Sequence, residues 1–303
     1  MKLARALLWM IVPLAVPVAS AQSPTVAGET MLQALITEER LDEISGMAAS
    51  RRHAGLFWVH NDGDNAPELH AIDAQGQLRA TLRISGVRNT DWEDLAAFEH
   101  EGKHYLVIAD VGDNGGLRRE LALRIVEEPA QLTNAKVAPA WSVRFRWPDG
   151  PRDCESLAVD STTGTAYLVS KKRVPPELFR VDLLGKKTQI ATRIATLAGI
   201  DQPSAQDLQR NPVYGRYRSQ VTAADISEDG KQFAVLNYRR VYLWNRGETE
   251  WGDAVSRHPR VLEFPWVPQA EALAFDPEGV NLWITSERLP APLLRLPIPS
   301  SQQ

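Results

Sequence analysis

Three glutamates occupy the same position of a recurring segment. The copies at 91–98, 153–160 and 269–276 read DWEDLAAF, DCESLAVD and QAEALAFD, and their third residues are Glu93, Glu155 and Glu271. Carboxylates that a fold gathers at equivalent positions repel one another unless they are protonated or bridged by a cation. A hard cation with oxygen ligands, Ca²⁺ above all, would relieve that repulsion, and hydrogen bonds from backbone amides are the alternative. The recurrence of the acids favours the cation.

Two further copies carry hydroxyl groups in place of acids. Residues 43–50 read EISGMAAS and residues 221–228 read VTAADISE. In this fourth copy along the chain Ala223 has the better register, whereas Thr222 carries the oxygen. The repeat by itself therefore predicts Glu93, Glu155 and Glu271 as ligands of one cation.

The segments that position these side chains have the pattern of β-strands. Each is a short run of small and apolar residues, as expected of a strand packed on both faces, and each is followed by a polar turn that ends in glycine. The next strands are rich in aromatic and β-branched residues and read LFWVHND, HYLVIAD, TAYLVSKK, QFAVLNY and NLWITSE. A third strand follows in every copy and a fourth in four of them. This pattern predicts an all-β protein, a five-bladed β-propeller.

The fifth unit has no fourth strand of its own. The segment MLQALIT at 31–37 is a candidate outer strand, and we predict that it closes the ring from the N-terminal side. Residues 22–303 would then form one propeller domain. A six-bladed propeller with an extra blade in residues 200–219 is the alternative, although the proline and glutamine residues there favour a long loop.

A second group of side chains is expected around the same mouth, because connections alternate between the two faces of a propeller. The ends of the second strands carry acidic or amide groups in units one and two and basic groups in units three to five. The predicted substrate-binding residues are Asn61, Asp62, Asn114, Lys172, Arg239 and Arg288. They suit a small anionic or phosphorylated ligand held beside a metal, with Asp91 or Asp110 as general base. Loop tips that are merely solvated are the alternative.

The first 21 residues predict export. Lys2 and Arg5 precede an apolar run, and the small residues ASA at 19–21 suit signal cleavage. We expect a periplasmic or secreted protein with no membrane span after cleavage.

Charge and motifs exclude several classes of function. Loss of Lys2 and Arg5 with the signal changes the formal net charge from −4 to −6, which disfavours nucleic-acid binding. Cys154 is the only cysteine, so no internal disulfide forms. The sequence does not contain the GxSxG pattern of serine hydrolases.

The segments LDEISGMA, LFWVHNDGD, DWEDLA, YLVIADVGDN, RDCESLAVD and EALAFD resemble the secreted bacterial propellers grouped with the SdiA-regulated and phytase-like esterase families. A more distant resemblance is to the five-bladed calcium-dependent nucleotidases, the apyrases, whose calcium ligands follow the order Ser, Glu, Glu, Ser, Glu. This second resemblance implies a central calcium site with one ligand from each copy. The matching residues are Ser45, Glu93, Glu155, Thr222 (or Ala223 by register) and Glu271. Propeller esterases and lactonases also hold calcium, with asparagine and histidine among its neighbours, and Asn61 and His60 keep that class open.

We therefore expect an exported calcium-binding propeller that acts as a metal-dependent phosphohydrolase on a small phosphorylated substrate. Two alternatives remain open. One is a non-catalytic propeller that binds a ligand or protein of the cell envelope, and the other is a calcium-dependent esterase or lactonase.

Overall fold

The computed structural model describes residues 29–212, 215 and 219–299, which contain 22 strands and two short helices. The predicted signal segment at 1–21 lies outside these residues. Five sheets, whose principal strands are antiparallel, are arranged as the blades of a β-propeller, which confirms the predicted fold.

Each blade has four principal strands, which follow one another from the axis outward. Blade one contains β2 (Ile44–Ala49), β3 (Leu56–Asn61), β4 (Glu68–Asp73) and β5 (Leu78–Ile84). Blade two contains β6 (Trp92–His100), β7 (Lys103–Asp110), β8 (Leu121–Glu127) and β10 (Trp141–Arg146). Blade three contains β11 (Cys154–Asp160), β12 (Thr165–Ser170), β13 (Glu177–Asp182) and β15 (Thr192–Thr196). Blade four contains β16 (Val221–Ile226), β17 (Gln232–Asn237), β18 (Arg240–Asn245) and β19 (Arg260–Glu263). Blade five contains β20 (Ala270–Phe275), β21 (Asn281–Ser286), β22 (Ala291–Pro297) and, on its outside, β1 (Met31–Ile36).

The ring is closed by the N-terminal strand, as predicted. Strand β1 pairs antiparallel with β22, and Ile36 opposite Ala291 is fully buried. The predicted alternative of a sixth blade is wrong. In residues 200–219 the described part contains the short helix α1 (Ala205–Arg210), capped by Ser204, and no strand. A second helix, α2 (Trp251–Val255), precedes β19.

The turns between first and second strands depend on glycine. Their last residues all adopt φ between 64° and 74°, a left-handed conformation that other residues rarely adopt, and they are Gly55, Gly102, Gly164, Gly230 and Gly279. These turns lie on the face opposite the predicted site. They allow each inner strand to return directly into the second strand of its blade.

The hydrophobic core lies between the blades. Trp92 of blade two is fully buried among residues of blade one, including Trp58, and its ring meets His60 edge-on at 5.6 Å between centroids. Between blades two and three, the guanidinium of Arg152 lies 5.3 Å from the ring centre of Trp147, which follows β10, and 4.5 Å from that of Phe179 in β13. Such contacts between sheets hold the inner strands around the axis.

Two short strands without sequence signal join neighbouring blades from outside. Strand β9 (Ala135–Val137) belongs to the chain of blade two but pairs in parallel with β5 of blade one. Strand β14 (Gln189–Ile190) belongs to blade three and pairs in parallel with β10 of blade two. None of the helices in the described residues is long and apolar enough to cross a membrane.

Candidate functional site

Each inner strand carries a β-bulge at its second residue. The pairing of first and second strands skips one residue in every blade, and the skipped residues are Ser45, Glu93, Glu155, Thr222 and Glu271. A bulge leaves its extra residue outside the ladder and turns its side chain. The five predicted ligand positions are thus structurally equivalent, and all five residues are buried.

The strand register corrects the alignment of the fourth copy. Thr222 occupies the bulge, and Ala223 pairs with Leu236, so Thr222 has both the register and the hydroxyl. It follows that Ala224, and not Asp225, corresponds to Leu95 of blade two. The fourth motif therefore begins one residue before the predicted segment 221–228.

The two hydroxyl residues of the ring connect neighbouring blades. Ser45 Oγ donates to the carbonyl of Glu93 at 2.9 Å, and Thr222 Oγ1 donates to the carbonyl of Ala270 at 2.8 Å. Each hydroxyl therefore satisfies a carbonyl of the next inner strand. Their protons are used within the protein, whatever their oxygens bind.

Two of the three ring glutamates have protein partners. Glu155 accepts a hydrogen bond from the ammonium of Lys171, and Glu271 Oε1 accepts one from the Tyr238 hydroxyl at 2.9 Å. Burial raises the pKa of Glu155 to about 8 despite the opposing charge of Lys171. Burial, together with the neighbouring carboxyl of Glu287, holds the pKa of Glu271 well above its usual range. Both glutamates are therefore bonded by side chains, and not by the backbone amides of the alternative prediction.

Glu93 is different. It is 4% exposed, yet its carboxylate makes no hydrogen bond or ion pair with any residue that the structure describes. Burial first, and then the charge of Glu155, hold its pKa well above the usual value. Two groups of carboxylate oxygens meet at this side chain, each with its members within 4.8 Å of one another. They are Asp62, Asp91 and Glu93, and Glu93, Asp153 and Glu155.

The first group, Asp62 with Asp91 and Glu93, is enclosed by two glycine-containing loops. A Cβ at Gly112 would lie 2.0 Å from Glu93 Oε1 and 2.5 Å from the Asp91 carboxyl carbon, and one at Gly63 would lie 2.6 Å from Asp91 Oδ1. The backbone amide of Gly112 donates to the Asp91 carbonyl at 3.1 Å. The glycines of the DGDN and DVGDN segments therefore let the backbone approach the acids closely. Asp62 and Asp91 are partly exposed, so solvent reaches this group.

The second group is already neutralised by lysines. Lys172 Nζ lies 2.8 Å from Asp153 Oδ2 and also donates to Asn114 Oδ1 at 2.8 Å. Lys171 neutralises Glu155 through its ammonium. Since no ammonium or guanidinium pairs with the first group in the described residues, that group suits an oxygen-binding cation better.

Burial raises the pKa of Asp91 to about 6, with Asp62 as the next contribution. Its side chain is ionised at neutral pH, and none of the residues that the structure describes forms an ion pair with it. Asp110, the other predicted base, is buried between two arginines. Its Oδ1 lies 2.6 Å from Arg118 and its Oδ2 3.4 Å from Arg124. That pairing leaves Asp110 poorly placed to accept a proton from a substrate.

The remaining predicted residues are not gathered at the carboxylates. Arg288 is exposed, and its backbone amide donates to the Asp42 carbonyl. The Asn61 side chain donates to the Arg40 carbonyl at 2.8 Å, and His60 is fully buried. Arg239 lines a separate cavity in blade four.

Asp94 is a central residue that the repeat analysis did not single out. Its Oδ2 accepts the amides of Leu157 in blade three at 2.7 Å and Ala224 in blade four at 3.1 Å, and its Oδ1 accepts the amide of Leu95 at 2.8 Å. Burial holds its pKa well above the usual value. The corresponding residues of the other four blades are all small: Gly46, Ser156, Ala223 and Ala272. These small side chains leave room near the axis for one carboxylate that binds three blades together.

The opposite end of the channel carries a charged pair. The buried Arg51 side chain of blade one reaches Glu228 of blade four at 2.6 Å. Nearby, Asp225 accepts the amides of Ile226 and Phe275, each at 2.8 Å, and burial raises its pKa to about 6.

No protein-family model and no curated protein matches this sequence. Solved structures resemble it at low identity. The alignment with a structure of the nidogen/laminin complex covers 80% of this chain and 72% of the chain in that structure, with 12% sequence identity and a TM-score of 0.44. The alignment with a gluconolactonase from Xanthomonas campestris covers 84% of this chain and 72% of the gluconolactonase chain, with 17% sequence identity and a TM-score of 0.41. At such identities the likeness concerns the fold alone.

Proposed function

We propose that this propeller binds a divalent cation, Ca²⁺ in the first instance, through Asp62, Asp91 and Glu93. The observation that carries the proposal is Glu93, a buried carboxylate without a partner among the described residues. A buried charge of this kind is costly unless something pairs with it. Three carboxylates offer the oxygen ligands that Ca²⁺ prefers, and the partial exposure of Asp62 and Asp91 leaves a route for the ion to enter.

We further propose that the site hydrolyses a small phosphorylated substrate. A bound divalent cation supplies charge neutralisation and polarises a phosphoryl oxygen. Asp91 would bind the cation through one carboxylate oxygen and accept a proton from water through the other. The ammonium of Lys172 lies on the rim of the same mouth, where it donates to an anionic group of the substrate. The placement of Asp110 between two arginines leaves Asp91 as the proposed base.

Cation binding is tested first, by calorimetric titration with Ca²⁺, Mg²⁺ and Mn²⁺ and by thermal melts with and without EDTA. At 100 times the dissociation constant, a cation that binds only the folded protein stabilises it by about 2.7 kcal/mol. Glu93→Gln is expected to lose this stabilisation, and Glu278→Gln, an exposed acid on the opposite face, is expected to keep it. A wild-type protein that binds none of these ions would remove the cation from the proposal.

Catalysis is tested separately with nucleotides, phytate, sugar phosphates and aryl phosphates, and with aryl esters and lactones as a second class. We expect phosphate release that falls at least 100-fold in Asp91→Asn. Turnover of esters or lactones alone would replace the phosphohydrolase by the esterase alternative. Cation binding without any turnover would favour a binding propeller.

Export is a proposal as well, based on residues 1–21. Cell fractionation and N-terminal sequencing of the mature protein test it, and we expect the sequence to begin at Gln22 in a periplasmic or secreted fraction. An intact Met1 in the cytoplasm would contradict it.

A further inference from the structure

A cavity of about 360 Å³ lies in blade four beside the acidic mouth. Its size is in the range of small-molecule sites. Its lining consists of Tyr238, Arg239, Arg240, Glu263, Phe264 and Trp266.

Tyr238 connects the cavity with the ring of glutamates. It forms part of the cavity wall, and its hydroxyl donates to Glu271 Oε1 at 2.9 Å. A ligand in the cavity therefore lies one side chain away from the ring. The cavity is a neighbouring subsite of the mouth and shares no carboxylate with the proposed cation site.

The apolar part of the lining is aromatic. Trp266 is 78% exposed, whereas Phe264 is 9% exposed. A large exposed indole next to a cavity offers a flat face for stacking, at little loss of conformational freedom on binding. Together with Tyr238, these residues favour a planar ligand.

The polar part of the lining contains two guanidinium groups, and that of Arg239 forms no side-chain hydrogen bond with the described residues. Arg240 is engaged by Asp201 and by Glu263, the latter at 2.9 Å. The Arg239 side chain is 45% exposed, and its closest ionic partner among the described residues is Asp207 at 3.9 Å, which is beyond hydrogen-bond distance. Its planar fork of donors matches a carboxylate or phosphate.

We propose that this cavity binds a planar aromatic group carrying an anionic substituent, with the ring on Trp266 and the anion on Arg239. A sugar ring would need several convergent hydrogen-bonding groups, and Arg240 and Glu263 already bind each other. The role of the cavity in selecting the non-reacting part of a substrate rests on the proposed function. Ligand binding itself does not.

Binding is measured by calorimetry and by saturation-transfer NMR with 2-naphthoate as probe. The matched probes are 2-naphthylmethanol, which lacks the charge, cyclohexanecarboxylate, which lacks the aromatic ring, and gluconate, a sugar acid. The variants are Trp266→Leu, Arg239→Gln, Glu93→Gln and, as a control, Arg173→Gln in blade three. Trp266, Arg239 and Arg173 are exposed, so their substitutions leave the core unchanged, whereas Glu93 is buried.

We expect 2-naphthoate to bind at least tenfold more tightly than the other three probes. Trp266→Leu should weaken it at least tenfold, and Arg239→Gln should make 2-naphthoate and 2-naphthylmethanol equal. Arg173→Gln and Glu93→Gln should leave binding unchanged, and unchanged binding in Glu93→Gln separates this subsite from the cation site. Tighter binding of gluconate, or 2-naphthoate binding that survives both Trp266→Leu and Arg239→Gln, would overturn the proposal.

Discussion

The Asp94 carboxylate provides the sharpest test of how the ring is held together. Asp94→Ala would leave the buried amides of Leu157, Ala224 and Leu95 without their acceptor. An unsatisfied buried donor costs about 1–3 kcal/mol, so three donors cost about 3–9 kcal/mol. Burial raises the pKa of Asp94, which shows that ionising this group in the interior is itself costly. Removal of the group relieves that cost, and we expect a net loss of about 3–5 kcal/mol.

Asp94→Asn should lie between the wild type and Asp94→Ala. One amide oxygen can still accept from Leu157 and Ala224, because both amides bind the same carboxylate oxygen. Only the acceptor for Leu95 is lost, at about 1–2 kcal/mol. The free energy of unfolding is measured in urea by tryptophan fluorescence. The control is Asp182→Ala, because Asp182 also accepts a backbone amide, from Leu184 at 2.8 Å, but is exposed. An Asp94→Ala protein as stable as the control would refute the reasoning.

Three further predictions follow from buried or close-packed positions. Gly112→Ala should weaken Ca²⁺ binding at least tenfold in calorimetry, because its Cβ would occupy the space of two carboxylates, whereas Gly115→Ala, with its nearest atom at 3.4 Å, should not. Asp225 has a folded pKa of about 6, above the ordinary 3.8, so its contribution to stability is complete below pH 3.8 and is lost as pH rises through 6. Asp225→Asn should therefore remove up to about 3 kcal/mol of pH dependence from urea unfolding across that window, and an unaltered slope would contradict the assignment. Ile36→Ala should cost about 2–5 kcal/mol because it leaves a cavity where β1 closes the ring, whereas the exposed Leu32→Ala should cost little, and equal losses would argue against closure by β1.

The sequence contains enough to predict the blades because each unit repeats its local chemistry. Three features indicate the same fold: turn glycines that require positive φ, aromatic second strands, and an N-terminal segment of the right length for an outer strand. Strands β9 and β14 escaped prediction because two or three residues carry no periodicity. They form only where another blade presents a free edge. The fourth copy was misaligned by one residue because it lacks the glutamate that marks the bulge in three other copies.

The candidate site was harder to predict because side-chain direction depends on backbone geometry at the ends of strands. Lys171 and Lys172 are neighbours, yet Lys171 reaches Glu155 and Lys172 reaches Asp153. Composition alone gave no reason to separate them. Asp94 did leave a signal, since the other blades carry only small residues at its position. A repeat alignment that compares the size of the side chains at each position, as well as the recurrence of residue types, would have found Asp94.

Most strand residues both pair with a neighbouring strand and present a side chain. The bulge residue at the start of each inner strand only presents a side chain. Because the extra residue takes no part in pairing, its side chain can change without disturbing the ladder beside it. The residues at these five positions can therefore differ while the fold stays the same. In this chain the five positions hold two hydroxyls and three carboxylates. A related propeller with different residues there would keep its architecture and present another chemistry at the same mouth.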